Sequence, residues 1–198
     1  MNTPSNPSSM PDTIAVEEYK RLVGLISDIE KQMVQIASGA VVVSVTILSA
    51  VFGLLLSNDP SHPVSLGAAY VALAPWFVFI PAFLIIVAHR NELCRAASYL
   101  RVFYEEGMNR PGWDGRVSAF RRQLARQEAH DPIPFIFWAM AAPTICLFYK
   151  GLVDANAVCI HYLVPVFPAI FLCYLHWRYK RLLSTDYENY LAIWKRVA

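Results

Sequence analysis

The stretch PSHPVSLGAAYVALAPWFVFIPAFLIIVAH, residues 60–89, runs for 30 residues without one Asp, Glu, Lys or Arg. Three more such runs lie at 32–58, 132–149 and 155–177, of 27, 18 and 23 residues. Together they hold 98 of the 198 residues, and the other 100 carry all 32 charges. An α-helix rises about 1.5 Å per residue, so about 20 apolar residues cross a hydrocarbon core of about 30 Å. Each run is near or above that length. In lipid every backbone polar group needs an internal partner, which leaves helices or a closed barrel. A barrel strand alternates apolar and polar residues. Val41-Val42-Val43 and Phe77-Val78-Phe79-Ile80 do not alternate. The expected fold is therefore all-α, a polytopic membrane protein with transmembrane helices near 34–56, 66–88, 134–153 and 157–177.

Composition agrees. The chain is 56% hydrophobic and 16% charged, against about 45–50% and about 25% in soluble domains. That excludes a disordered chain, a strongly basic nucleic-acid arm and an ordinary soluble enzyme. The first 31 residues contain no apolar core of a signal peptide, so no cleaved leader is expected. Residues 1–12, rich in Ser, Pro and Asn, are expected to be a flexible N-terminus.

Lys and Arg set the orientation. Three precede the first span, eight Arg lie between spans two and three, and five follow span four. The two remaining connections hold Lys150 alone. Sixteen against one is a strong positive-inside bias. Both termini and the 89–131 connection are thus expected in the cytoplasm, with the chain in a cell membrane of the bacterial inner-membrane kind. Tyr70, Tyr149 and Tyr162 fall at the outer ends of the spans, and Trp138, Trp177 and Tyr179 toward the inner ends. Such rings favour the membrane–water interface.

The charged segments are amphipathic. Tyr19, Leu22, Val23, Ile26 and Ile29 recur at helical spacing and are expected to lead into span one as one helix. Leu93, Ala97, Leu100 and Tyr104 form a second stripe, with Arg90, Glu92, Arg95 and Arg101 mostly away from it. Val117, Phe120 and Leu124 suggest a short helix within the cytoplasmic helical insertion 89–131. Thr185-Asp-Tyr-Glu188 reads as a capping box opening a cytoplasmic C-terminal helix within 178–198. Mutual packing is the plainest use of these apolar faces, with the membrane surface or a protein partner as alternatives.

Several features are candidate sites. Pro75 and Pro81 in span two, Pro143 in span three, and Pro165 and Pro168 in span four each remove a backbone donor and free a carbonyl. Freed carbonyls bind ions or serve as hinges in broken-helix transporters. Proline is also simply tolerated in membrane helices. Lys150 and Asp154 share a helix face at i,i+4, and His161 lies a short loop away, a polar group fit for a pore mouth or gate. Ala40 with Ser44, and Ser49 with Gly53, have the small-xxx-small spacing of close helix packing. Arg121, Arg122 and Arg126 would face the inner headgroups or a partner. No ionisable group lies near the centre of spans one, two or four, which weighs against an ion-coupled transporter.

No metal ligand set, phosphate loop or nucleophile–base constellation stands out, so no cofactor, metal or catalytic residue is expected. Cys94 is expected to label only from the cytoplasm. The expected partners are the lipid bilayer, a second copy of the chain in a homo-oligomer, and a cytoplasmic protein partner, but not nucleic acid. The expected role is non-enzymatic: a membrane-anchored interaction, signalling or effector subunit working through its cytoplasmic helices. A small channel or transporter is the alternative.

Overall fold

The computed structural model describes residues 12–56, 66–105 and 132–197. They form six α-helices in order: α1 Asp12–Leu56, α2 Leu66–Val71, α3 Trp76–Leu100, α4 Pro132–Asp154, α5 Val166–Arg181 and α6 Tyr187–Val197. A π-helical turn, Arg101–Glu105, extends α3. A second, Leu182–Asp186, joins α5 to α6, and a 3₁₀ turn, Cys159–Leu163, precedes α5. No strand occurs among the described residues. Four helical stretches are long and apolar enough to cross a membrane: Val16–Gly53, Leu66–Glu105, Pro132–Asp154 and Cys159–Val197.

α1 is the longest element. Its 45 residues span about 68 Å, more than twice a hydrocarbon core of about 30 Å. The amphipathic lead and the first apolar run therefore form one uninterrupted helix, as the absence of a Pro or Gly-Pro break implies. α1 packs most extensively on α3, and also on α2 and α4. α3 in turn carries α5 and α6. The Asp154 end of the bundle is called the upper end here and the α6 end the lower.

One spacing runs through all the long helices. The buried residues of α3 include Trp76, Phe79, Phe83, Ile86, Arg90, Leu93, Ala97 and Leu100, alternately three and four apart. In α4 they are Pro134, Phe137, Ala141, Thr144, Phe148 and Gly151, again three and four apart. From α5 through the second π turn they are Leu172, Leu175, Tyr179, Leu182 and Asp186. α1 buries Ile26, Ile29, Met33, Ala37, Ala40, Ser44 and Val51 with nearly the same rhythm. This is a seven-residue repeat, the pattern that lets helices interlock at shallow crossing angles.

What faces outward is as informative. Val42, Val43, Val45 and Phe52 of α1 are exposed, as are Phe77, Phe135, Phe167 and Ile170. Between residues 37 and 45 of α1, the buried residues are small (Ala37, Ala40, Ser44), while Val42, Val43 and Val45 face out. In water such a surface would be an aggregation hazard.

Two expectations need correction. The 66–88 span is not one helix, because the chain tightens into i→i+3 bonds between α2 and α3. Pro75 has no N–H to give the Val71 carbonyl, which accepts from Ala74 N–H at 3.0 Å instead. The Thr185–Glu188 capping box does not form. No Gly or Pro separates residues 178–188, so α5 runs through its π turn straight into α6, and no free helix start remains for Thr185 to cap. Asp186 pairs instead with Arg178, and with Arg181 Nε at 3.4 Å.

Candidate functional site

At the upper end, Lys150 Nζ donates to Asp154 Oδ2 at 2.5 Å, as the i,i+4 spacing implies. His161 is engaged elsewhere, sharing a hydrogen bond of 2.7 Å with the Tyr70 hydroxyl. Tyr149 stacks on Tyr162, and its hydroxyl donates to the Tyr162 carbonyl at 3.1 Å. The expected Lys150–Asp154–His161 group is thus an ion pair on one helix beside a separate Tyr–His link. α2 and α4 approach closely beneath it. A Cβ on Gly151 would lie 2.8 Å from Ala69 Cβ and 2.9 Å from its Cα, so only glycine fits.

The prolines divide into two groups. Pro75 and Pro165 are the N-cap residues of α3 and α5, and Pro168 is the third residue of α5. The first N–H groups of a helix have no intrahelical acceptor, so proline costs little there. These three stand at helix starts inside the apolar spans: Pro75 marks the break between α2 and α3, and Pro165 and Pro168 open α5 after the 3₁₀ turn. Pro81 and Pro143 do lie inside α3 and α4.

The small residues divide likewise. Ala40 and Ser44 are buried, whereas Ser49 and Gly53 face outward with open space around Gly53. The hydroxyls of Thr46 and Ser49 donate back to Val42 and Val45 carbonyls at 2.9 and 2.8 Å, their ordinary use in an apolar helix. Arg121, Arg122 and Arg126, with the helix expected at Val117–Leu124, lie outside the described residues.

The bundle interior holds a polar link that apolar runs conceal. Trp76 Nε1 donates to Thr144 Oγ1 at 2.8 Å, and that hydroxyl donates to the Ala141 carbonyl at 2.6 Å. Below it, Phe83 stacks on Phe137 with centroids 4.6 Å apart. Arg90, expected to point away, is buried with its guanidinium over the Tyr179 ring at 5.4 Å. It occupies one position of the seven-residue repeat, so the helix phase carries it inward. The ring provides a face on which a cation can rest.

The lower end is a mesh. Glu18 accepts from Tyr99 at 3.2 Å and also bonds Tyr104. Burial, and then the Glu18 carboxylate, holds both phenols above their usual range. Tyr190 of α6 donates to Asn91 at 2.8 Å and lies under the Arg95 guanidinium. Trp194 packs edge-on against Tyr99 and Phe103. Cys94 donates its thiol to the Leu182 carbonyl at 3.3 Å and is buried. It is therefore shielded from labelling in the folded chain, contrary to the expectation for it. Cys146, Cys159 and Cys173 are exposed.

Between α5, the second π turn and α6 lies an open groove of about 600 Å³, lined by Tyr174, Trp177, Arg178, Arg181, Asp186 and Tyr190 among others. No group of three or more His, Cys, Asp or Glu among the described residues is placed to hold a metal ion. Comparison of the chain with protein-family models, curated proteins and solved structures finds no match.

Proposed function

We propose that this chain is a four-span integral membrane protein of the bacterial inner membrane, with both termini and the 89–131 connection in the cytoplasm. It works there as a non-enzymatic anchor that presents its inner helical layer to a cytoplasmic protein partner, as part of a homo-oligomer. One observation carries the reading. The long helices expose large apolar side chains along their middles, while long-range polar side-chain links gather most densely at the lower end. Among the described residues that end carries eleven of the twelve Lys and Arg, the arrangement the positive-inside bias favours for a cytoplasmic face. α1, α3 and α6 continue the membrane helices into this layer, so a partner bound there would act directly on the spans.

The channel reading draws less support. The Val71 carbonyl freed at the Pro75 break is taken by Ala74 N–H, and Lys150 is matched by Asp154 on its own helix.

Labelling tests the topology. An impermeant maleimide applied to intact spheroplasts is expected to modify native Cys159. A Glu188→Cys variant is expected to react only in inverted vesicles, and its labelling from outside would overturn the orientation. Crosslinking in mild detergent tests assembly. The expected result is a discrete oligomer or a co-purifying protein; a bare monomer would refute this part of the proposal.

A further inference from the structure

One face of α5 changes character along its length. Phe171 stacks near Tyr174 with centroids 6.2 Å apart, Tyr174 meets Trp177 at 5.9 Å, and the Arg181 guanidinium lies 5.4 Å over the Trp177 ring. All four side chains are exposed. The spacing of three to four residues keeps them on one helix face. The result is a ladder that begins apolar, becomes amphipathic and ends in a cation. Its cationic end opens into the groove between α5 and α6.

The groove is built as an anion site. Arg178 and Arg181 both line it and both engage Asp186, whose side chain is only 11% exposed. Two guanidiniums against one carboxylate leave one net positive charge. Each guanidinium has five N–H donors in a planar fork, more than one carboxylate can occupy. Asp186 holds both forks in place while leaving donors for a second oxyanion. A phosphate suits that geometry. Tyr190 is fixed to α3 through Asn91, which steadies the far wall.

We infer that this groove binds the phosphodiester of an anionic inner-leaflet phospholipid, with an acyl chain lying along the Phe171–Tyr174–Trp177 ladder. The inference rests on the membrane reading above. The ladder favours lipid over a soluble phosphate, because it joins the cationic groove to an exposed apolar face along which an acyl chain can lie. The residual charge selects an anionic headgroup over a zwitterionic one, since Asp186 already has two cationic partners.

The test uses the full chain in mild detergent, with native mass spectrometry counting bound phosphatidylglycerol in competition with phosphatidylcholine. Wild-type protein is expected to retain phosphatidylglycerol preferentially. Arg181→Gln is expected to lower that preference about fivefold, the usual effect of one basic residue at an anionic surface. Arg196→Gln, an exposed α6 control outside the groove, is expected to leave it unchanged. Equal losses in both variants would mean diffuse charge attraction and would overturn the site, as would no loss in Arg181→Gln. Glycerol 3-phosphate in millimolar excess is expected to leave the lipid bound; displacement would assign the groove to a soluble phosphate instead. Thermal unfolding of Arg181→Gln at the wild-type temperature separates lost binding from lost fold. Retention in carbonate-washed membranes keeps the two proposals separable: failure there sinks the membrane reading, whereas retention with no lipid preference sinks only this one.

Discussion

At the upper end of the bundle, Gly151 brings the α4 backbone against Ala69 with no room for one carbon more. At the lower end, α1, α3 and α6 stay connected through side chains: Glu18 with Tyr99 and Tyr104, Asn91 with Tyr190, Cys94 with the Leu182 carbonyl. Between α2 and α4 the first region closes by backbone approach, with the Tyr70–His161 link beside it; the second closes by side-chain reach. Backbone contact tolerates no change in volume but is indifferent to pH. A hydrogen-bonded mesh tolerates small volume changes and responds to ionisation. On the function proposed above, the lower region is the one a signal or partner would act on, and the upper is the one where α2 and α4 are held backbone to backbone.

The sharpest way to break this contrast is steric. Gly151→Val forces α2 off α4 and is expected to cost about 1–3 kcal/mol or more in unfolding experiments in detergent. Gly53→Ala, with open space around it, is expected to be neutral or to stabilise by up to about 1 kcal/mol through helix propensity. Equal effects of the two would show that α2 is not seated on α4.

Thr144→Val tests the layer between the two ends. It leaves the buried Trp76 N–H without its acceptor, at an expected cost of about 1–3 kcal/mol. Adding Trp76→Phe removes the orphaned donor. If the bond matters as a pair, the double variant costs less than the sum of the single ones. Strict additivity would mean the two groups are uncoupled.

The lower mesh is expected to weaken in alkali. The folded-state pKa values of Tyr99 and Tyr104 are raised above the unfolded value of 10.0, first by burial and then by Glu18. The stability these phenols contribute is fully present below about pH 10. It is lost as pH climbs toward the folded values, because the unfolded chain ionises first. Tyr104→Phe is expected to cost about 0.5–1.5 kcal/mol at neutral pH and to flatten the alkaline decline. Hydrogen exchange that loosens α6 before α4 as pH rises would place the sensitivity at the lower end. Uniform loosening would contradict it.

The sequence disclosed the helices through missing charge, and the lower layer through amphipathic stripes. Leu93, Ala97 and Leu100 are buried as their spacing implies. Within the apolar runs the seven-residue repeat was hidden, because Ala37 and Val42 look equally fit for either face when solvent and core are both apolar. Charge-free length marks an apolar run but not where its helix begins, so it does not show that Pro165 is the N-cap of α5. Thr185 and Glu188 have capping-box spacing, but local spacing does not reveal that the preceding helix runs on through this turn, where Arg178 and Arg181 reach Asp186. The Arg181–Trp177–Tyr174 ladder was legible in principle as i,i+3 and i,i+4 spacing. Each residue alone is an ordinary interfacial one, so only their shared helix face sets them apart.

The smallest expected effect bears most on the alternative function. Lys150 and Asp154 are partly exposed and one turn apart, so Lys150→Ala or Asp154→Ala is expected to cost only about 0.3–0.5 kcal/mol. A pore mouth would behave differently. Removing Lys150 would leave Asp154 unmatched at the opening and change cation flux through liposomes severalfold, while stability barely moved. If the pair serves only to satisfy Lys150 near the helix end, flux stays at the protein-free level in both variants and in wild type. A flux that responds to Lys150→Ala would move function to the upper end and reverse the division of labour between the two regions.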